Sequence, residues 1–217
     1  MLKESGIMTK VKICGLSRME DIQCANRIQP DYIGMVFSEK SKRAVTMEQA
    51  ASLKAELDKS IKAVGVFVNN DIDFIAKLAQ AGIIDLIQLH GDEDGAYVKK
   101  LREALAKPAL PIIKAIRVRS ESSLQGLEEY PVDYFLFDTY KSGHYGGTGE
   151  RFSLKLESEL IKKPYFIAGG LDAGNVAQVI AENPEAFAVD VSGGVEDAAT
   201  GFKDAEKMAA FVAQVRT

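Results

Sequence analysis

The chain alternates short apolar runs with longer amphipathic stretches. The apolar runs are rich in Val, Ile, Phe and Tyr and are nearly uninterrupted, which is typical of strands that are covered on both faces of a parallel sheet. A helical stretch follows each run, and one of these stretches opens with a capping box at residues 46–49. Eight strands are predicted in this way, at residues 11–14, 32–37, 61–68, 86–89, 112–118, 134–138, 165–168 and 186–191.

The number of strand–helix units favours one parallel α/β fold over another. Eight units in 217 residues leave about 27 residues per unit, close to the ~30 of a compact crossover. We therefore predict a (β/α)8 TIM barrel that forms a single domain over residues 1–217, with residues 1–9 as an N-terminal extension. A doubly wound open sheet is the alternative, but no G-x-G-x-x-G follows the first strand.

Composition and charge exclude several function classes. Hydrophobic residues make up 47% and charged residues 27% of the chain, as in globular rather than disordered proteins. A net charge of −4 without a Lys/Arg run argues against nucleic acid and membranes as partners, and no apolar run is long enough for a transmembrane helix. With two cysteines and no signal-peptide core, we expect a cytoplasmic protein. Monomer and homodimer both stay open.

Two residues at predicted strand ends could carry proton chemistry, because the carboxyl ends of barrel strands face the active site. Cys14 can act as nucleophile or general base if its pKa is lowered; a small buried hydrophobe is the alternative. Asp138 follows four apolar residues, which should raise its pKa and suit a general acid; a cap or turn is the alternative. Lys12 should point to the same side as Cys14 and needs a carboxylate partner, for which Asp190 is the candidate; a solvated strand start is the alternative.

Other polar residues and glycines at strand ends could bind a substrate. Arg43 could hold a carboxylate bidentately or be a solvated loop residue. His90 could contact a ligand or be structural. The chain has two histidines, which are too few for a histidine-rich metal site. The glycines after the last two strands could bind phosphate, with a short helix at residues 195–199, or form tight turns. The candidate substrate-binding residues are Arg43, His90, Gly169, Gly170, Asp190, Ser192, Gly193 and Gly194.

A further glycine-rich segment, residues 143–149, follows the sixth strand and is predicted to be a mobile lid or a flexible surface loop.

Together these segments resemble the phosphoribosylanthranilate isomerase family over residues 11–204. The glycine pairs alone occur in many phosphate-binding barrels, whereas the combination of the Cys14 strand, the Arg43 loop and the strand end at residues 88–91 is far more specific. One departure is Gly193, where the family often has a serine. The segments that carry the resemblance are KICGL (12–16), GMVF (34–37), SKR (41–43), QLHG (88–91), FDT (137–139), GGTG (146–149), FIAGGL (166–171) and VDVSGGVE (189–196).

The resemblance implies a (β/α)8 barrel and an Amadori rearrangement in tryptophan biosynthesis without metal or redox cofactor. The substrate, a small phosphosugar, would be N-(5-phosphoribosyl)anthranilate, and the product 1-(2-carboxyphenylamino)-1-deoxyribulose 5-phosphate. On this resemblance Asp138 is the general acid that protonates the ribose ring oxygen, and Cys14 is the general base that removes the C2 proton. Arg43 would hold the anthranilate carboxylate, and the backbone after the last two strands would bind the phosphate.

Alternative functions remain. A histidine-pathway isomerase would have a carboxylate in place of Cys14, an indoleglycerol-phosphate synthase would depend on Lys and Glu catalysts, and a metal-dependent epimerase would need several histidines. A non-catalytic phosphosugar-binding barrel would bind ligand without turnover, although the presence of Cys14 and Asp138 argues against it.

Overall fold

The strands close into a barrel. A computed structural model of the chain describes residues 8–105, 110–138 and 161–217. Within them, neighbouring strands pair in parallel in chain order, and the first strand also pairs with the last. The predicted TIM barrel is therefore confirmed, and the open sheet is excluded. The strands, β1 to β8, are Lys10–Cys14, Tyr32–Val36, Lys62–Phe67, Leu86–Leu89, Ile112–Arg117, Tyr134–Asp138, Tyr165–Ala168 and Ala188–Val191.

Helices of the described residues pack against the outside of this barrel. The predicted capping box is present, with the Thr46 side chain accepting a hydrogen bond from the Gln49 backbone N–H. β5 is followed instead by two short 3-10 turns, Glu121–Leu124 and Leu127–Glu129, so the helical stretch predicted there is not an α-helix. No helix in the described part of the chain is long and apolar enough to span a membrane. The described α-helices, α1 to α6, are Met19–Ile28, Met47–Glu56, Ile72–Gln80, Gly95–Ala104, Val176–Glu182 and Ala205–Arg216.

A cluster of buried side chains from β3 to β8 fills the inside of the barrel. Because side chains alternate along a strand, a residue two positions beyond a member of this cluster also points inward. Gln88, Asp138 and Asp190 each stand two positions beyond such a member. They therefore point into the barrel near its carboxyl end, where the candidate site lies. The cluster consists of Val64, Leu86, Ile113, Ala115, Leu136, Phe166, Ala168 and Ala188.

Candidate active site

Lys12 and Asp190 form a buried ion pair at the seam where the barrel closes. The register of β1 and β8 sets the two residues opposite each other, and Lys12 Nζ lies 2.8 Å from Asp190 Oδ2. Burial disfavours the charge on Lys12, but Asp190 and Cys14 outweigh burial and raise the pKa of Lys12. The predicted partnership of Lys12 with Asp190 is confirmed, and the solvated strand start is wrong.

The second carboxylate oxygen of Asp190, Oδ1, does not take part in this hydrogen bond to Lys12. Asp190 Oδ1 is buried and has no hydrogen-bond partner among the described residues. Burial raises the pKa of the Asp190 carboxyl, while the ion pair with Lys12 opposes that rise. A ligand hydroxyl would satisfy this oxygen, as expected of a substrate-binding residue.

Cys14 ends β1 beside this ion pair and is buried. A Cβ at Gly34 on the neighbouring strand would lie 2.8 Å from Cys14 Sγ, so glycine leaves the room that the sulfur needs. Burial raises the pKa of the Cys14 thiol, and the opposing effect of the Lys12 cation is smaller. The lowered pKa that was the condition for a nucleophile or base at Cys14 is therefore not found in this structure, because desolvation of the thiolate outweighs the nearby cation.

His90 lies between Gln88 and Asp138 at the ends of β4 and β6. Gln88 Nε2 lies 2.9 Å from His90 Nδ1, and when the amide donates this bond the ring proton sits on Nε2. His90 Nε2 lies 3.6 Å from Asp138 Oδ2, and both side chains are half-buried. The structure thus brings two of the predicted residues together. The N–H of the imidazole faces the predicted acid.

The Arg43 side chain packs against Gly15, which is the residue after Cys14 in the chain. A Cβ at Gly15 would lie 2.4 Å from Arg43 Cδ, and the φ of Gly15 is +85°, so this position requires glycine. The guanidinium donates two hydrogen bonds to Glu196, from Nε to Oε1 at 2.5 Å and from NH2 to Oε2 at 2.8 Å. Arg43 is therefore fixed by a bidentate ion pair, and the solvated loop residue is the wrong alternative.

Lys203 lies beneath the loop that follows β8. Its Nζ donates to Glu196 Oε1 at 2.7 Å and to the Ser192 backbone oxygen at 2.9 Å, and lies 3.2 Å from Ser192 Oγ. Ser192 Oγ in turn donates to the Cys14 backbone oxygen at 3.0 Å. Burial lowers the pKa of Lys203, although Glu196 opposes this. These bonds tie the end of β1 to the loop that is predicted to bind phosphate.

The two glycine loops after β7 and β8 touch each other. A Cβ at Gly194 would lie 1.9 Å from the Leu171 backbone oxygen, so the contact excludes any side chain there. No described residue accepts a hydrogen bond from the backbone N–H of Gly170, Gly193 or Gly194. These N–H groups are the donors that a phosphate needs.

Two further predictions have different outcomes. The short helix expected at residues 195–199 is a 3-10 turn at Gly193–Val195; the expectation is wrong, because the two glycines themselves form the turn. The predicted lid at residues 143–149 lies outside the described residues.

A second buried ion pair supports the loop that carries His90. Glu93 Oε2 lies 2.9 Å from Lys114 Nζ, and both side chains are almost fully buried. Both partners also hold Gly91, the residue after His90: its N–H donates to Glu93 at 2.9 Å and its carbonyl accepts from Lys114 at 2.8 Å. The other oxygen of Glu93 accepts from the Asn69 N–H at 2.7 Å. The network joins the loops after β3 and β4 to β5.

Sequence reasoning missed several polar residues of this region. Two of them interrupt apolar strands, and a polar residue inside a buried strand is a signal that could have found them. The other three lie on loops or at a helix start, where charged residues are ordinary. The missed residues are Gln88, Lys114, Glu93, Glu196 and Lys203.

Touching glycine loops beside inward-facing ionisable groups place this barrel in the class of phosphate-binding TIM-barrel enzymes. Within that class, the model of the N-(5′-phosphoribosyl)anthranilate isomerase family matches residues 11–214. The chain belongs to this family.

Individual relatives agree with the family. The N-(5′-phosphoribosyl)anthranilate isomerase of Thermoanaerobacter sp. strain X514 is 44% identical over 211 residues, which are 96% of this chain and 98% of the relative. The crystal structure of the isomerase from Thermotoga maritima has a TM-score of 0.82 at 34% identity, covering 96% and 99% of the two chains. A structure with reduced 1-(o-carboxyphenylamino)-1-deoxyribulose 5-phosphate has a TM-score of 0.81 at 31% identity and the same coverage.

Proposed function

We propose that this chain isomerises N-(5-phosphoribosyl)anthranilate to 1-(2-carboxyphenylamino)-1-deoxyribulose 5-phosphate, with Asp138 as acid and Cys14 as base. One observation carries the assignment of roles. Cys14 ends β1 and Asp138 ends β6, and these strands are three places apart around the closed barrel. The two groups therefore face a bound sugar from different sides of the barrel mouth, as an acid and a base for one substrate must.

The acid step opens the ribose ring. Asp138 gives its proton to the ring oxygen, the bond from C1 to that oxygen breaks, and the nitrogen lone pair forms a C1=N iminium. His90 Nε2–H, 3.6 Å from Asp138 Oδ2, stabilises the carboxylate that remains. A carboxylate that must carry a proton and then lose it benefits from a neighbouring donor of this kind.

The base step moves the double bond. The Cys14 thiolate takes the proton from C2, and the C2–H electrons form a C1=C2 bond while the iminium electrons return to nitrogen. The resulting enaminol gives up its O2 proton and gains one at C1, which yields the ketone. Lys12 favours the thiolate in this step, because its cation opposes the effect of burial on the Cys14 pKa.

The two anionic ends of the substrate are held by different devices. Arg43 can bind the anthranilate carboxylate through a guanidinium that Glu196 keeps oriented. The backbone N–H groups of Gly170, Gly193 and Gly194 suit the phosphate. The solved relative that binds a reduced form of the product supports a ligand with both groups.

Steady-state turnover of freshly made phosphoribosylanthranilate tests this function, with Cys14→Ser compared with Cys24→Ser. Cys24 is a buried thiol in α1 whose Sγ contacts the Ala205 carbonyl, so it matches Cys14 in chemistry but not in position. Loss of the base should lower kcat for Cys14→Ser by about 10²- to 10⁴-fold, while Cys24→Ser keeps its rate. No turnover by the folded wild type would exclude the proposed reaction. A Cys14→Ser variant that is as active as wild type would exclude Cys14 as the base.

The cytoplasmic location and the oligomeric state stay predictions. Sedimentation velocity at micromolar concentration distinguishes a monomer from a homodimer.

A further inference from the structure

Glu196 occupies only one of the two edges with which a guanidinium can bind a carboxylate side by side. It accepts from Arg43 Nε and NH2, at 2.5 and 2.8 Å. The other edge is formed by NH1 and the second hydrogen of NH2. Arg43 NH1 has no hydrogen-bond partner among the described residues. One complete carboxylate-binding edge of Arg43 is therefore left for a ligand.

Glu196 itself is held in place from the other side. Lys203, whose side chain is 1% exposed, donates from Nζ to Glu196 Oε1 at 2.7 Å, and Lys207 Nζ donates to the Glu196 backbone oxygen at 2.7 Å. Burial works against the carboxylate, but the hydrogen bonds from Arg43 and Lys203 prevail and lower the pKa of Glu196. Glu196 is thus a charged partner that is anchored independently of Arg43, and it holds the Arg43 guanidinium in place.

The anchored guanidinium lies between two parts of the proposed site. Its stem crosses Gly15, next to Cys14, and its NH2 lies 4.0 Å from the place of a Cβ on Gly193. Fixing the guanidinium therefore also fixes the distance between the carboxylate-binding edge and the loop that would hold the phosphate. A substrate with a carboxylate at one end and a phosphate at the other requires such a fixed spacing.

We propose that Glu196 is a positioning residue that sets the carboxylate specificity of the site by presenting the free edge of Arg43 to the anthranilate ring. The proposal rests on the proposed function, in which Arg43 binds that carboxylate. The opposite role, a carboxylate that competes with the substrate for Arg43, fits the structure less well. To move away, Glu196 would have to leave the buried cation of Lys203 without a carboxylate to balance its charge, which is costly.

Calorimetric binding of two probes to Glu196→Gln tests the proposal without requiring turnover. The first probe is reduced 1-(2-carboxyphenylamino)-1-deoxyribulose 5-phosphate, and the second is the same compound without the ring carboxylate. Gln keeps the shape but loses the charge, so binding of the first probe should weaken by about tenfold or more. The second probe should bind within about twofold of wild type, because Arg43 has no carboxylate to hold.

Two further variants make the result specific. Asp197→Asn removes the charge of the neighbouring carboxylate, which accepts hydrogen bonds from Ala199 and Thr200 and not from Arg43, and should leave both probes unaffected. In an Arg43→Ala background, Glu196→Gln should no longer change binding of the carboxylate probe, since the two residues act as one unit. In turnover, Glu196→Gln should raise KM by much more than it lowers kcat.

Three outcomes would overturn the proposal, each with a different meaning. Equal weakening of both probes would mean that Glu196 acts on the phosphate loop through Lys203 and Ser192. Tighter binding of the carboxylate probe would identify Glu196 as a competitor. If the folded wild type bound neither probe and turned over no phosphoribosylanthranilate, the proposed function itself would fail.

Discussion

Lys12 Nζ lies 2.8 Å from Asp190 Oδ2 across the seam between β1 and β8. Lys12 stands two residues before Cys14 on β1, and Asp190 stands two residues before Ser192 at the end of β8. The strand that carries the proposed base and the strand that leads into the proposed phosphate loop are therefore joined at one buried point. The same cation that compensates the buried Asp190 also favours the thiolate of Cys14.

Removing one partner of this ion pair should damage both stability and rate. Lys12→Met leaves Asp190 as an uncompensated buried carboxylate, and the free energy of unfolding in urea should fall by about 3–5 kcal/mol. The double variant Lys12→Met/Asp190→Leu should recover most of that stability but not the rate. Full activity in the double variant would show that the pair has only a structural role.

The ionisation of Cys14 should depend on pH in the way that a buried thiol requires. Burial raises the Cys14 pKa above its ordinary value of 9.0. The ultraviolet absorbance of the Cys14 thiolate, measured as the difference between wild type and Cys14→Ser, should therefore rise with pH and reach its midpoint above about pH 9. A midpoint below about pH 9 would show that the Lys12 cation outweighs burial.

The same raised pKa has a consequence for folding. Because the thiolate is less favourable in the folded chain than in the unfolded one, ionisation of Cys14 favours unfolding. The stability of the wild type should therefore fall as pH rises above the pKa of the unfolded thiol, near 9, and this part of the loss should disappear in Cys14→Ser. Urea unfolding at pH 7 and pH 10 measures the difference.

The sequence predicts the strands well and the loop contacts poorly, for a physical reason. Strands buried on both faces need continuous apolar residues, so all eight can be recognised in the sequence. Closure of the barrel sets β1 beside β8, and this makes the pairing of Lys12 with Asp190 predictable. Arg43 and Glu196 are 153 residues apart on two loops, and no periodicity relates them. The raised Cys14 pKa depends on desolvation, which exists only once the chain is folded.

The missing helix after β5 has a local cause that the sequence does show. Residues 119–131 contain four serines or glycines, and such residues compete with helical hydrogen bonding and favour turns. Gly126 adopts a φ of +72° between the two 3-10 turns. The alternation of strands and helices in the rest of the chain predicts a helical stretch here. The serines and Gly126 instead favour two short turns.

Gln88 should control which nitrogen of His90 carries the proton. Its amide faces Nδ1 at 2.9 Å, so 15N NMR of the neutral ring should show protonation at Nε2. Gln88→Leu should give a mixture of both tautomers and lower kcat by about tenfold. Because Gln88 Oε1 is buried without a partner among the described residues, the variant should remain nearly as stable as wild type. An unchanged tautomer in Gln88→Leu would exclude this role. The chain has a second histidine, His144, and comparison with the spectrum of His90→Gln shows which signals belong to His90.

Lys114 should contribute to stability and to the placement of His90. Lys114→Met leaves the buried Glu93 unpaired and removes the hydrogen bond to the Gly91 carbonyl, so unfolding free energy should fall by about 3–5 kcal/mol. The exposed Lys99 on α4 is a matched control, and Lys99→Met should change stability by less than ~0.5 kcal/mol. Equal stability of the two variants in urea unfolding would contradict this reading of the network.

The two adjacent glycines of the β8 loop should respond differently to the same substitution. A Cβ on Gly193 would meet only Arg43 NH2, at 4.0 Å, whereas a Cβ on Gly194 would lie 1.9 Å from the Leu171 backbone oxygen. Gly193→Ala should therefore bind phosphate as wild type does. Gly194→Ala must push the two glycine loops apart, and the Ki of inorganic phosphate as a competitive inhibitor should rise by about tenfold or more.

The same pair also tests whether these loops hold the phosphate at all. Gly193→Ser introduces the hydroxyl that the resemblance leads one to expect at this position. If backbone N–H groups bind the phosphate, this variant should change the Ki of inorganic phosphate as little as Gly193→Ala does. A large gain in phosphate affinity from Gly193→Ser would instead assign the binding to side-chain hydroxyls. If Gly194→Ala is folded by circular dichroism yet keeps the wild-type Ki, the contact with Leu171 serves packing, and the phosphate is bound elsewhere in the barrel mouth.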